Sequence, residues 1–351
     1  MVAEAAGGSG SGWRAALPAA LLLSALLFCV YMAGYGGRYN RDDEHVFVSA
    51  AQGWARWGAA DLPQVWGNSR LQALRALPFY SVVEPGHWWL GAQLLRITDA
   101  LRLGSVQVLL LVNPLLTALT AGGLLLLLRA QGHALPAAAL TALGYGSATF
   151  AWVYTRTYFR EPLAALLLTA AALCLVLAGD QRQRPGMKRA AAGLALAAVL
   201  AAIVVKLACI AAVPALLWLA LPALKRLRWR SLFGWTALLF VGGIVLMVLA
   251  GSSPYMVRIS LPYFGFVLRA MSATSAAYVV EAVLAMFVSP ARSLFLHAPF
   301  LMLSFYSMRH ARTRMFGVAW LLAGLLITLQ AVAYGADWWP AYRDDCNGFW
   351  L

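Results

Sequence analysis

Charged residues are scarce in this 351-residue chain and make up 11% of it, against about 25% in an ordinary soluble domain. Hydrophobic residues make up 62%, and long windows without any charge recur along the whole length. Water-soluble folds are therefore excluded. The pattern predicts an all-α polytopic membrane protein.

Several site signatures are also missing. The four cysteines are isolated and show neither a CxxC pair nor metal-ligand spacing, which argues against a disulfide framework and a zinc site. No G-x-G-x-x-G or Walker pattern occurs, so a nucleotide-driven pump is disfavoured.

Acidic residues are outnumbered two to one, 13 against 27 Lys and Arg, which gives a formal charge of +14. The basic residues sit in short clusters between apolar runs. This placement is typical of topology determinants rather than of a nucleic-acid groove, so no nucleic-acid partner is expected.

The apolar runs predict about nine transmembrane helices. The stretch 190–222 is too long for one crossing at about 1.5 Å per residue, and Lys206 divides it into two spans joined by a tight hairpin. The predicted helices are 15–36, 106–128, 135–152, 162–178, 190–205, 207–222, 232–251, 292–308 and 315–334.

The distribution of charge predicts a cytoplasmic N-terminus in the plasma (inner) membrane. The resulting inside segments hold 13 of the 27 basic residues in 46 positions, and 11 of the 13 acids fall outside. The first span is expected to be retained rather than cleaved as a signal peptide. Within a single transmembrane domain, 1–351, two long outer loops follow from this topology, 37–105 and 252–291. The first, which is rich in Trp and Arg, is expected to carry amphipathic helices at the interface.

Three consecutive acids open the first outer loop, in NRDDEHVFVSAAQGWARWG (40–58). The pattern predicts an amphipathic helix over 43–58, with Phe47 on its apolar face and Ser49 on its polar face. Asp42, Asp43 and Glu44 would then stabilise the first turn of that helix electrostatically. Alternatively, one of these carboxylates is a general base at the membrane surface.

The context of this cluster resembles the GT-C superfamily of membrane glycosyltransferases. It is most similar to bacterial relatives of the dolichyl-phosphate-mannose protein mannosyltransferases and to the aminoarabinose transferases. YGSATFAWVYTRTYFREPLAALLL (145–168) is similar to the G-x-A-T-x-x-W-x-Y-x-R-x-x-x-x-E-P segment of those enzymes. SPARSLFLHAP (289–299) and DWWPAY (337–342) resemble their S-P-x-R-G-L and D-W-W segments, with Ser293 in place of the usual Gly.

The resemblance implies inverting transfer of a sugar from a polyprenyl-phosphate donor. It places the catalytic acid at Asp43, with Glu44 and Asp42 as alternatives. Relatives commonly continue past the D-W-W segment into further helices, whereas this chain ends at RDDCNGFWL, so either a truncated or frameshifted product or a short member is expected. Some families of the superfamily use a divalent cation and others do not, and no spacing here decides between them.

A donor phosphate at the outer surface requires cations. The predicted donor-phosphate residues are Arg156, Arg160, Lys206 and Arg292. Arg160 could instead pair with Glu161 at a helix start, Lys206 could only snorkel to the interface, and Arg292 could only anchor a helix end. Residues predicted to surround the site are Glu84 and His87 on the acceptor side, with Glu161, Tyr154 and Asp337. Solvated-loop roles for Glu84 and His87, and an interfacial-belt role for Tyr154 and Tyr158, are the alternatives.

Two other functions compete with sugar transfer. A transporter or lipid flippase would place ionisable residues deep inside the spans. An inactive GT-C-like scaffold would fit the short C-terminus. The expected partners of the transferase are the polyprenyl-phosphate sugar, the bilayer, and an acceptor that is a protein, a lipid or a polysaccharide.

Overall fold

The computed structural model describes residues 9–38, 42–57, 85–103 and 105–224. These residues are mostly helical, and none of them forms a strand. The helices are α1 (Ser9–Ala33), α2 (Asp42–Trp57), α3 (Pro85–Ala100), α4 (Ser105–Ala130), α5 (Leu135–Ser147), α6 (Phe150–Tyr154), α7 (Glu161–Gly179), α8 (Pro185–Val205) and α9 (Val213–Leu224), with a 3₁₀ helix at Leu207–Ala212 between α8 and α9.

Four of these helices are long and apolar enough to cross a membrane: Ala15–Ala33, Gln107–Ala130, Glu161–Gly179 and Pro185–Val205. They match the predicted spans 15–36, 106–128, 162–178 and 190–205, and they support a multi-pass membrane protein. The spans predicted at 232–251, 292–308 and 315–334, and the second outer loop 252–291, lie outside the described residues.

The predicted span 135–152 is not one helix. α5 has 13 residues, which is about 20 Å at 1.5 Å per residue, and it ends before Thr149. The Thr149 side chain caps the next helix, α6, by accepting a hydrogen bond from the Ala151 N–H at 3.1 Å. The break at Lys206 is confirmed, because α8 ends at Val205 and Lys206 is extended (φ −153°, ψ 112°). The segment predicted as helix 207–222 begins as a 3₁₀ helix and is α-helical only from Val213.

The described residues up to Cys209, together with 219–224, belong to one compact unit, and residues 210–218 belong to a second. In the first unit, α1, α5 and α8 run in one direction and α4 and α7 in the other. Two contacts fix α1 antiparallel to α4: the Tyr35 hydroxyl donates to the Gln107 carbonyl at 3.1 Å, and the Ser24 hydroxyl donates to the Ala118 carbonyl at 2.9 Å.

Small residues, among them Gly122, Gly123 and Gly146, allow the helices to pack closely. A Cβ at Gly122 would lie 2.3 Å from the Ser24 hydroxyl oxygen, and one at Gly146 would lie 2.6 Å from the Leu27 side chain. Close approach of this kind replaces the hydrophobic driving force that helices lose inside a bilayer. The resulting bundle brings the last turns of α1 and α8 and the first turns of α4 and α7 to the same end.

Candidate functional site

The loop between α6 and α7 is the centre of the candidate site. Asn113, fully buried in α4, donates from its side-chain nitrogen to the backbone carbonyls of Thr157 and Phe159 at 2.6 and 2.8 Å. The backbone N–H of Tyr158, between them, donates to a carboxylate oxygen of Glu44 at 3.0 Å. Three consecutive residues of the loop are thus clamped by two buried side chains from distant parts of the chain. Together these contacts form the Glu44–Asn113 clamp.

The amphipathic helix predicted over 43–58 is confirmed as α2, but its surroundings differ from the prediction. Glu44 has 0% exposure and Ser49 has 1%, although Glu44 was expected at the surface and Ser49 on a solvated face. Burial on both faces has a physical cause, because α2 packs against α3 and its first turns also meet the 157–159 loop. Asp42 and Asp43 open α2, as predicted for the acids of its first turn.

Tyr158 and His87 form the buried interior of the site. Tyr158 is 1% exposed, which overturns its interpretation as an interfacial-belt residue, and its ring lies 4.4 Å from that of His87. Gly91 makes room for the phenol, since a Cβ there would lie 2.1 Å from the Tyr158 hydroxyl oxygen. Phe47 packs edge-on against His87, with ring centroids 5.7 Å apart.

His87 lies in α3 rather than in a solvated loop, and its side chain has 0% exposure. Neither ring nitrogen has a hydrogen-bond partner of good geometry. Loss of solvation lowers the pKa of His87 to about 4, against the opposing effects of the Glu161 carboxylate and the nearby Tyr158 backbone. His87 is therefore neutral at physiological pH.

This buried histidine predicts an acid-sensitive fold. The pKa of His87 in the folded chain lies below its ordinary value of 6.5. Above pH 6.5 the ring is therefore neutral in both the folded and the unfolded chain, and it does not lower the free energy of unfolding. As the pH falls from about 6.5 towards about 4, the unfolded chain takes up a proton on this ring and the folded chain does not. This difference lowers the free energy of unfolding by up to about 3 kcal/mol. Thermal unfolding in detergent across this range should show the loss, and His87→Gln should reduce it. The exposed His133 gives the control, His133→Gln, and an unchanged pH dependence in the His87 variant would contradict the assignment.

Two of the predicted phosphate ligands, Arg160 and Lys206, lie close to the clamped loop. Lys206, just after α8, donates from Nζ to Oε1 of Glu161 at 2.7 Å, and the two side chains are 30% and 29% exposed. The guanidinium of Arg160 lies 5.7 Å from the centre of the Phe47 ring. Glu161 thus contacts Lys206, and Pro162 lies in the first turn of α7.

Arg156 directly precedes the clamped loop and lies near the end of α1. Its side chain is exposed, and its guanidinium carbon lies 6.0 Å from the centre of the Trp152 ring. A Cβ placed at Gly34, just after α1, would lie 2.9 Å from Nη2 of Arg156. Tyr154 is half-buried, and burial together with the Glu161 carboxylate raises the pKa of its phenol to about 12. Tyr154 is thus a hydrogen-bond donor at neutral pH.

The structure brings together Glu44, His87, Tyr154, Arg160, Glu161 and Lys206 around one loop. Arg156 lies at the edge of this group. Glu84, Arg292 and Asp337 lie outside the described residues. Among the residues that the structure describes, no group of three or more His, Cys, Asp or Glu side chains could hold a metal ion.

Sequence reasoning missed Asn113, whose signal was an Asn-Pro pair inside the apolar run VLLLVNPLL (108–116). An amide placed eight residues inside a membrane helix needs a partner, and here that partner is the loop.

Searches against protein-family profiles, curated proteins and solved structures return no match to this chain.

Proposed function

We propose that this protein transfers a sugar from a polyprenyl-phosphate donor to an acceptor at the outer face of the membrane, with inversion at the anomeric carbon. The supporting observation is the convergence of the acidic start of α2 and the cations Arg160 and Lys206 on one clamped loop. A carboxylate and a set of cations are the two elements that such a transfer needs.

In the proposed reaction Asp43 takes the proton from the acceptor hydroxyl or amine. The acceptor atom forms a bond to the anomeric carbon while the bond from that carbon to the phosphate oxygen breaks. Polyprenyl phosphate leaves with the electron pair of the broken bond, and the negative charge on its phosphate is stabilised by cations.

Lys206 is suited to bind that phosphate. An ammonium group has three donors, and the contact with Glu161 uses one of them, so a partly exposed Lys206 retains donors for a phosphate oxygen. Arg160, whose guanidinium lies over the Phe47 ring, supplies a planar group with several donors. Tyr154 adds a neutral donor close to Glu161.

The placement of charge favours surface chemistry over transport. In the four described spans, charged residues occur only near the ends: Arg129, Glu161, Lys188 and Arg189. A transporter would be expected to carry ionisable groups near the midplane of these helices.

Binding of polyprenyl phosphate tests the cation site without knowledge of the sugar, because all such donors release this product. The variant Lys206→Gln/Glu161→Gln removes both charges and preserves a neutral hydrogen-bonding pair. We expect its Kd for polyprenyl phosphate in detergent to be at least about tenfold above that of the unsubstituted protein, since charge-assisted hydrogen bonds are lost. Exposed Arg38, replaced by Gln, is the matched surface control.

Transfer itself is measured as acceptor-dependent release of polyprenyl phosphate from a panel of polyprenyl-phosphate hexoses. Release above the background without acceptor supports a transferase. Wild-type binding by the double variant, together with no release from any donor, would leave the scaffold interpretation as the better one.

A further inference from the structure

The opposite end of the bundle carries a second feature that sugar transfer does not use. A groove of about 290 Å³ lies between α1, α7 and α8 and is lined by Trp13, Leu177, Gln183, Met187 and Ala191. Its lining is almost wholly apolar, with Gln183 as the polar exception. In a membrane protein, an apolar groove between helices is suited to hydrocarbon.

Cations border this groove. Met187 and Ala191, one turn apart on α8, face it. Lys188 lies about 100° from Met187 around the helix, and Arg184 is the extended residue that immediately precedes the helix (φ −62°, ψ 146°). Arg184 is exposed, while Lys188 is half-buried and donates from Nζ to the Gln181 carbonyl at 3.2 Å. The exposed Arg182 and Arg189 add to the local positive charge, which one acid in the turn, Asp180, offsets only in part.

We propose that this groove binds an anionic glycerophospholipid. One acyl chain would lie against Trp13, Leu177 and Met187, and the lipid phosphate would contact Arg184 and Lys188. The combination of features favours this occupant. A neutral lipid would offer the two cations no anionic partner, and a soluble anion would leave the apolar groove empty. Basic pockets between membrane helices at a headgroup surface are suited to anionic lipids.

The start of α8 adds to this preference. Arg184 precedes the helix without a side-chain cap, and Pro185 occupies its first turn. The positive end of the helix dipole thus points towards the same headgroup region as the two cations. This site is independent of the proposed sugar transfer, since it lies at the other end of the bundle from the clamped loop.

Native mass spectrometry of the full chain in detergent, titrated with phosphatidylglycerol or phosphatidylcholine, tests the proposal. We expect phosphatidylglycerol to bind more tightly than phosphatidylcholine. The variant Arg184→Gln/Lys188→Gln should reduce that preference about 10- to 30-fold, because each cation near the headgroup contributes about fivefold. The control Arg38→Gln/Arg102→Gln removes two exposed charges from the other end and should leave the preference within about twofold of its original value.

A second variant tests the hydrocarbon half of the site. Ala191→Phe places a ring in the groove and should weaken both lipids while leaving the charge unchanged. Glycerol 1-phosphate, which carries the headgroup charge without acyl chains, should not compete with phosphatidylglycerol. Equal binding by the Arg184→Gln/Lys188→Gln variant, an equal loss in the control, or effective competition by glycerol 1-phosphate would overturn the proposal.

Discussion

Asp43→Asn is expected to lower the rate of acceptor-dependent sugar transfer by about 10²- to 10⁴-fold, the usual contribution of a positioned general base. Asparagine cannot accept the acceptor's proton, but it retains the size of Asp43 and a favourable dipole in the first turn of α2. The thermal unfolding temperature in detergent should therefore change little. The measurement is release of polyprenyl phosphate at saturating donor, compared with the unsubstituted protein.

The structure separates Asp43 from the neighbouring alternative. Glu44 has no exposed surface, and its carboxylate accepts the Tyr158 N–H, so its present contacts hold the loop in place rather than face a substrate. Glu44→Gln retains an oxygen acceptor and should lower stability more than it lowers the rate per folded molecule. Asp42→Asn is the nearest control for loss of one negative charge at the start of the helix. Near-wild-type transfer by Asp43→Asn, combined with inactivity of either neighbour, would move the base to that neighbour.

The spans were predictable because their signal is local. A run of about 20 apolar residues bounded by charge or proline is sufficient, and the observed ends differ from the predicted ones by five residues or fewer, as at Pro185 for the span predicted from 190. The broken span 135–152 shows the limit. Apolar residues continue through it, and a single threonine cap at Thr149 divides it into two helices.

The site was predictable only as a set of residue types. The sequence predicted site roles for Glu44, His87, Glu161 and Lys206. It did not predict their partners, because the hydrogen bond from Lys206 to Glu161 joins residues 45 positions apart and the one from Tyr158 to Glu44 joins residues 114 positions apart. Such pairings depend on how α2, α4 and α7 meet, and no periodicity in one segment encodes them. The same reason explains the error over Tyr158: aromatic residues near a span end are usually interfacial, but here Gly91 and His87 enclose the ring.

Asn113→Ala is expected to lower the free energy of unfolding by about 2–3 kcal/mol. The substitution removes both hydrogen bonds to the loop and leaves the Thr157 and Phe159 carbonyls without their partner in a buried place. Interhelical hydrogen bonds in membranes contribute only about 0.6 kcal/mol on average, so most of the loss comes from the two unsatisfied carbonyls. Denaturant titration in mixed detergent micelles measures the change.

The same helix provides the matched control. Thr117 lies one turn after Asn113, is 1% exposed, and has a hydroxyl with no hydrogen-bond partner. Thr117→Val keeps the shape and removes an unsatisfied polar atom, so it should be neutral or stabilising by up to about 1 kcal/mol. If Asn113→Ala lowers the free energy of unfolding and Thr117→Val does not, the loss at Asn113 comes from its hydrogen bonds to the loop rather than from packing in α4. Equal destabilisation by the two substitutions would contradict the clamp.

The clamp also links stability to the proposed chemistry, because the loop it holds continues directly into Arg160 and Glu161, and Glu161 contacts Lys206. At a temperature where Asn113→Ala remains folded, a displaced loop should raise the Kd for polyprenyl phosphate, an effect that Asp43→Asn should not share. Asp43→Asn should instead lower the rate with binding intact. This contrast distinguishes a residue that reacts from residues that hold the donor's cations in place.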